Sequence, residues 1–356
     1  MGYARRRRPD GRCPDGREKG TDMGIPTSGV AWALAGGLVA TSLVGAATAT
    51  AAPAARAAAC APAANIQAII DDSGSMSGTD PDRLRVQAMN LLIDALAPSR
   101  ILGATEFGSV EDNVFAPAAV GPNAAAMKAS LDTLVQADNG GTDYNLAFDS
   151  ARAVNPGASV RIFLTDGGHN SGDYLNTHLN PAPQAQTPTY VIGFSPGLAA
   201  AEDQARLQQI AADTGGQYFA LPDAQALQPV MNEIQTRLTC QSPPKTFVDT
   251  VAAGGTKHHG VKIKRKSRSA QLTLTWTSPL DAFQVKKVKI KRHGRVVATK
   301  GHPLKIKTKR GSTYLVIKVT KLVPGKMTFV VKNTAAGSGA PQVTVTTQVS
   351  QSRSKK

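Results

Sequence analysis

From residue 66 onward the chain alternates between short apolar runs and stretches in which apolar residues recur at helical spacing. The apolar runs predict strands at residues 66–70, 101–107, 160–164, 189–194 and 217–221, with a short edge strand at 113–115. The helical spacing predicts helices at about residues 80–96, 122–136, 142–153, 198–212 and 224–238. Strands that alternate with helices favour an α/β domain with a doubly wound, mostly parallel sheet covered on both faces.

After residue 240 the pattern changes to an alternation of period two, which is typical of strands. Apolar residues alternate with Lys or Thr at 261–264, 272–276, 288–291, 304–307, 327–329 and 343–345. Turn residues separate these runs at His293-Gly294, Arg310-Gly311 and Pro324-Gly325. This pattern predicts a small antiparallel β-sandwich domain, and the part around Trp276 loosely resembles the jelly-roll-like C-terminal modules of secreted bacterial hydrolases.

An almost uncharged stretch at residues 27–49, rich in Ala, Gly, Leu and Val, predicts the hydrophobic core of a secretion signal. Cleavage after Ala51 is expected, with Met23 as an alternative start and a retained membrane anchor as the alternative fate. The predicted parts of the chain are a leader (1–51), a linker (52–64), the α/β domain (65–239), a second linker (240–255), the β-sandwich (256–350) and a basic tail (351–356).

The net charge of +16 conceals two parts of opposite sign. Residues 60–240 contain 8 basic and 19 acidic side chains, whereas residues 241–356 contain 25 basic and 2 acidic ones. Such asymmetry predicts two modules with different partners.

The basic domain allows several interpretations. Its lysines could be a solubilising coat that also blocks strand edges, could bind an anionic cell-surface polymer or lipid headgroups, or could dock on the acidic domain. The few interleaved aromatic residues and the export signal argue against nucleic acid as a partner.

Two cysteines outside the leader bracket the acidic domain. Cys60 precedes its first strand and Cys240 follows its last helix, and export would place both in an oxidising compartment. A disulfide between them is predicted, with lipid modification of Cys60 as the alternative.

Polar residues follow two of the predicted parallel strands directly. Asp71, Ser73 and Ser75 alternate after the first strand, and Asp166 follows the strand at 160–164. Thr142 lies in a Gly-rich loop that can reach the same edge, where ligands of open α/β sheets bind. Carboxylate and hydroxyl oxygens suit a hard cation such as Mg²⁺.

Three segments carry a specific resemblance. Asp71-x-Ser73-x-Ser75, Gly140-Gly141-Thr142-Asp143 and Leu164-Thr165-Asp166-Gly167 resemble the metal-site segments of the von Willebrand factor type A family, in the same order. The resemblance covers residues 65–238. It implies a metal-ion-dependent adhesion site that holds Mg²⁺ or Mn²⁺ through Asp71, Ser73, Ser75, Thr142 and Asp166.

The resemblance makes neither Asp72 nor Asp143 an essential ligand. Each is expected to support the ligands through hydrogen bonds or to be solvated, and Asp80 is expected to begin a helix. His169, a single loop histidine, is expected to be exposed.

These observations predict a secreted or surface-associated adhesion protein, without enzymatic activity, whose metal binds the carboxylate of an acidic protein or glycan ligand. The basic domain would anchor or orient it. The alternatives are an accessory subunit or domain of an extracellular hydrolase and a structural surface protein with a non-functional metal site.

Overall fold

The sheet of the first domain consists mostly of parallel strands. The structure is a computed structural model, and it describes residues 63–174, 178, 187–194, 201–222, 226–239, 245–337 and 339–351. The strands are β1 (Asn65–Asp71), β2 (Ile101–Phe107), β3 (Glu111–Ala119), β4 (Val160–Thr165), β5 (Thr189–Phe194) and β6 (Gln217–Leu221). Their order is β3-β2-β1-β4-β5-β6, with only the edge strand β3 antiparallel to its neighbour. The chain therefore winds outward from β1 in both directions.

Helices cover both faces of this sheet. They are α1 (Met76–Thr79), α2 (Leu84–Ala95), α3 (Val120–Leu134), α4 (Tyr144–Val154), α5 (Ala201–Asp213) and α6 (Leu227–Thr239). Successive side chains of a strand point to opposite faces, so Ile70 packs among residues of α2, α3 and α6 whereas Ile69 packs with Phe148 of α4 and Leu207 of α5. The doubly wound α/β architecture predicted from the sequence is confirmed.

Two local predictions in this domain were wrong. Helix α2 begins at Leu84 and not at Asp80, because Asp80 lies outside the helix and its carboxylate accepts the N–H groups of Leu84 (2.6 Å) and Arg85 (3.0 Å). Strand β3 has nine residues, three times the predicted length. Apolar and polar residues alternate only weakly along this strand, because much of it is exposed to solvent.

The second domain is built from nine strands in the described part of the chain. They are β7 (Lys245–Thr250), β8 (Thr256–Ile263), β9 (Ser267–Trp276), β10 (Asp281–Arg292), β11 (Arg295–Lys300), β12 (Pro303–Arg310), β13 (Tyr314–Thr320), β14 (Gly325–Ala336) and β15 (Gln342–Gln351). The order is β7-β15-β9-β13-β12-β11-β10-β14-β8, and the pairing is antiparallel except between β11 and β12. Leu272, Phe283, Ile290 and Phe329 belong to the shared apolar core. The predicted antiparallel β-sandwich is confirmed.

Strand β7 lies within the range expected to be a linker, where it pairs with β15. The prediction also missed β11 and β13. Strand β13 does not alternate because it is buried on both sides: Leu315 and Ile317 lie in the sandwich core, whereas Tyr314 and Val316 contact Leu91 of α2.

A polar contact joins the two domains around Asp94 of α2, whose side chain is 3% exposed. Tyr314 donates to its carboxylate at 2.8 Å, and the ammonium groups of Lys128 and Lys309 lie 2.6 and 3.0 Å away. Burial alone would raise the pKa of Asp94, but these hydrogen bonds and charges lower it. Asp94 is therefore a charged anchor between α2 and the sheet that contains β13.

Several sequence predictions concern residues outside the described ones. They include the secretion signal, the first linker up to residue 62, and both Cys60 and Cys240. Among the helices that the structure describes, none has the length and apolar character needed to cross a membrane.

Candidate metal centre

The centre lies where β1 and β4 end side by side. The two strands are paired in parallel, with Ile70 opposite Leu164, so the loops that follow them leave the same edge of the sheet. Asp71 is the last residue of β1, and Asp166 follows the last residue of β4. Both carboxylates are fully buried. The winding of the sheet changes direction at β1, which is where open α/β sheets form a ligand crevice.

A network of hydroxyl groups connects the two carboxylates. Ser73 Oγ lies 3.1 Å from Ser75 Oγ, and Ser75 Oγ donates to Asp166 Oδ1 at 2.7 Å. Asp71 accepts the N–H of Ser73 at 2.8 Å and the hydroxyl of Thr165 at 2.5 Å. The alternating Asp-x-Ser-x-Ser pattern therefore brings its oxygens together at the strand end, as the spacing predicts.

Thr142 approaches from the loop before α4. Its loop is held to the first segment by Gly74, whose N–H donates to Gly140 O at 2.9 Å. A Cβ atom added to Gly167 would lie 3.4 Å from Thr142 Oγ1 and 3.7 Å from Ser75 Oγ, so both hydroxyls border this glycine beside Asp166. The structure thus brings Asp71, Ser73, Ser75, Thr142 and Asp166 to one place.

Residues 65–234 match the family model of the von Willebrand factor type A domain. This part of the chain is a von Willebrand factor type A domain. Similar solved structures include a von Willebrand factor type A protein from Catenulispora acidiphila (18% identity, 81% of this chain and 58% of that one, TM-score 0.41). Others are proximal thread matrix protein 1 from the mussel byssus with a zinc-occupied MIDAS motif (17%, 55% and 51%, 0.43) and an aerotolerance-related membrane protein from Bacteroides fragilis (16%, 49% and 98%, 0.38).

The chain spans between half and three fifths of the length of the first two of these structures. No curated protein matched the chain. Type A domains are typically adhesion or interaction modules, and those with a metal-ion-dependent adhesion site bind divalent metals.

The side chains of the type A domain fit a divalent cation. Burial, followed by repulsion from Asp166, raises the pKa of Asp71 from 3.8 to about 6. Two buried carboxylates thus repel each other, and a bound cation would remove that repulsion. Among the described residues no cluster of three or more His, Cys, Asp or Glu side chains could hold a metal.

Asp72 is oriented differently from Asp71. Its carboxylate forms an ion pair with Arg85 at 3.0 Å, with both side chains fully buried, and accepts the N–H groups of Gln136 (3.1 Å) and Ala137 (2.7 Å). Asp72 O also accepts the N–H of Asn139 at 3.0 Å. Asp72 therefore anchors the loop that leads to Thr142. Arg85 forms ion pairs with both Asp72 and Asp80.

Asp143 caps α4 by accepting the N–H groups of Asn145 (2.9 Å) and Leu146 (3.2 Å). The expectation that His169 is exposed was wrong, because its side chain is 1% exposed. His169 Nδ1 accepts the N–H of Tyr144 at 3.0 Å, and burial lowers its pKa. The neutral imidazole thus fixes the start of α4, directly after Thr142.

The sequence reasoning missed two residues that support the centre. Thr79 of α1 donates to the second oxygen of Asp166, and the Asn170 side chain accepts the N–H of Thr142 at 2.8 Å. Thr79 belongs to a one-turn helix that has no periodic signal. Asn170 is three residues beyond the Thr-Asp-Gly segment, and its proximity to that segment was the only sequence indication of its role.

Proposed function

We propose that this protein is a secreted or surface-associated adhesion protein that binds an acidic ligand through a Mg²⁺ or Mn²⁺ ion. The observation that supports this most directly is the convergence of Asp71, Ser73, Ser75, Thr142 and Asp166 at the edge formed by β1 and β4. Together with membership of the type A family, it favours a metal-dependent interaction module over an enzyme.

The chemistry of the donor set explains how the ligand would be recognised. Mg²⁺ prefers six oxygen ligands and commonly keeps positions for water or for a ligand oxygen. Asp71 and Asp166 would offer carboxylate oxygens, and three neutral hydroxyls would complete the protein's share. Ser75 can donate its proton to Asp166 and still present its oxygen lone pairs to the ion. When bound, the cation supplies an electrophilic centre for a ligand carboxylate.

The ligand class follows from this charge distribution. Arg85 is fully buried against Asp72 and Asp80 and is not directed at the ligand. Recognition of an anionic ligand would therefore depend on the cation, and the carboxylate of an acidic protein or glycan is the group that suits it.

We also propose that the basic domain contacts an anionic surface polymer. Only two of its residues are acidic, Asp249 and Asp281. The Asp249 side chain lies 2.8 Å from His259 and is 15% exposed, and Asp281 is 2% exposed. The exposed charge of the domain is therefore almost purely positive.

We also propose that a disulfide between Cys60 and Cys240 joins the two ends of the type A domain. Nearby residues support it, because the N–H of Ala63 donates to Leu238 O at 2.9 Å. Mass spectrometry of the non-reduced secreted protein tests it, and a free Cys240 thiol would contradict the pairing.

The test of the metal centre is calorimetric titration of the full chain with Mg²⁺ and Mn²⁺. We expect binding of one ion, lost in Asp71→Ala and in Thr142→Ala but kept in Asp82→Asn, which removes an exposed carboxylate of the same domain. Unchanged titrations for Asp71→Ala would contradict the proposed ligands.

A further inference from the structure

Three lysines lie side by side across three neighbouring strands of the basic domain. In the strand register, Lys262 of β8 is opposite Lys326 of β14, and Lys326 is opposite Lys291 of β10. Strands in a sheet are about 4.8 Å apart, so the three side chains start within about 10 Å of one another. We call Lys262, Lys326 and Lys291 the lysine row.

The lysine row lies on the outer face of the sandwich. The residues that flank it along the strands, Ile263, Met327 and Ile290, belong to the apolar core. Because neighbouring residues of a strand point to opposite faces, the lysines point outward. Lys262 and Lys326 are exposed, and Lys291 is half-buried.

A groove runs beside the row. The next register position on the outer face holds Gly260 of β8, Thr328 of β14 and Lys289 of β10. Gly260 and Thr328 are small and form the floor of a groove of about 450 Å³, which Lys289 also lines. A Cβ atom at position 260 would lie 2.7 Å from Lys326 Cε, so the glycine gives the Lys326 side chain room to lie across the strand.

A second groove, of about 710 Å³, lies on the other side of the row and is lined by further cations, among them Lys264, Arg265 and Arg292. Within the described part of the chain, no ion pair joins any lysine of the row to a carboxylate. Like charges directly opposite each other destabilise a sheet. This concentration of charge is therefore unfavourable for the isolated fold and favourable only once an anion lies over it.

The other face of the sandwich is already occupied. Tyr314 of β13 donates to Asp94 and Lys318 donates to Leu96 O at 3.0 Å, so the outer face of the sheet that contains β13 packs on α2. The lysine row lies on β8, β14 and β10, at one end of the strand order, and none of these strands is adjacent to β13. A polymer on the row would thus leave the docking contact intact.

We propose that the lysine row and the groove beside it bind a flexible linear polymer that carries phosphate or sulfate groups. This inference rests on the proposed anionic partner of the basic domain and locates it on one face. Lysine is a compact point charge that suits repeated phosphate or sulfate groups, whereas planar bidentate recognition would favour arginine. The row crosses the strands and follows the groove, which matches an extended chain better than a single small anion.

The test measures binding of the full chain to inorganic polyphosphate and to heparin at several salt concentrations. The test variant replaces Lys262, Lys291 and Lys326 together by Gln. The control replaces Lys305, Lys307 and Lys321, three exposed lysines elsewhere in the domain, by Gln, so the charge change is identical.

With a slope of about 0.7 for each contact, as for single-stranded polyanions, loss of three phosphate contacts should weaken polyphosphate binding about 100-fold at 0.1 M salt and reduce the slope of log K against log salt by about 2. The control should change binding less than about threefold, and circular dichroism should show that both variants fold. Equal effects of the two variants would overturn the proposal, because binding would then follow net charge and not this face. Tighter binding to heparin than to polyphosphate would assign the polymer to the sulfated class, and the reverse to the phosphate class.

Two further measurements distinguish polymer binding from membrane binding and from the proposed metal centre. Binding to vesicles with phosphatidylglycerol but to neither polymer would overturn it in favour of a membrane surface. Polymer binding, measured in EDTA because Mg²⁺ itself associates with polyanions, should be unchanged in Asp71→Ala. The polymer proposal and the metal proposal can therefore fail separately.

Discussion

The replacement Asp71→Asn should have opposite effects on stability without and with metal. The folded-state pKa of Asp71 is raised from 3.8 to about 6, so the folded protein binds a proton at this site more tightly than the unfolded chain. The resulting penalty is absent below pH 3.8 and fully present above pH 6. With about 1.36 kcal/mol for each pH unit, the charged carboxylate destabilises the metal-free fold by up to about 3 kcal/mol at pH 7.5.

An asparagine can keep most of the local hydrogen bonds. Its amide oxygen can accept from the N–H of Ser73, and its NH₂ group can donate to Thr165 Oγ1, whose proton can turn to Gly167 O at 3.1 Å. Since neutral hydrogen bonds are weaker than those to a carboxylate, part of the gain is lost. We expect the variant to be roughly 1–2 kcal/mol more stable than the wild type in EDTA.

The assay is chemical unfolding at pH 7.5, followed by circular dichroism, in EDTA and in excess Mg²⁺. The wild type should be stabilised by Mg²⁺ because the ion binds only the folded state. Asp71→Asn should show no such gain, so the order of the two proteins should reverse when metal is added. A variant that is less stable than the wild type in EDTA, or that still gains stability from Mg²⁺, would refute the reasoning.

Two further predictions concern buried carboxylates outside the centre. Burial, and then repulsion from Asp72, raises the pKa of Glu106 from 4.5 to about 8. Ionisation of Glu106 should therefore lower the free energy of unfolding by about 1 kcal/mol between pH 7 and pH 9. Urea titrations of the wild type and of Glu106→Gln at both pH values would show this. A Glu106→Gln curve parallel to the wild type would contradict this. Asp94→Asn removes the ion pairs to Lys128 and Lys309 and should cost about 1–3 kcal/mol at pH 7, with Asp132→Asn as an exposed control. Because the pKa of Asp94 is lowered, the stability difference between the wild type and Asp94→Asn should disappear in acid, where the carboxylate is protonated. Equal stability of Asp94→Asn and Asp132→Asn at pH 7 would contradict the role of Asp94 as an anchor between the domains.

Much of the first domain could be predicted because its signals are local. Strands β2, β5 and β6 have the predicted bounds, since each is a short, largely apolar run followed in the sequence by Gly, Ser or Pro. The Asp-x-Ser-x-Ser segment is also local, because Asp71, Ser73 and Ser75 lie within five residues, and the turn that follows β1 brings their oxygens together.

What could not be predicted depends on contacts between distant residues. Strand β13 lacks alternation because a second domain covers its outer side, and no local rule specifies that cover. Asp72 and Arg85 form their buried pair across the loop that contains α1. His169 is buried because α4 begins against it, a contact between residues 25 positions apart.

The central claim is that a cation at Asp71 and Asp166 captures a carboxylate ligand. The most direct measurement is capture of the full chain on polyglutamate beads in about 0.3 M salt, which weakens attraction to the basic domain, in Mg²⁺ and in EDTA. We predict retention in Mg²⁺ that EDTA abolishes, that is absent in Asp71→Ala, and that persists when Lys262, Lys291 and Lys326 are replaced by Gln. Retention of equal strength in Mg²⁺ and EDTA, or by Asp71→Ala and the wild type alike, would contradict the account.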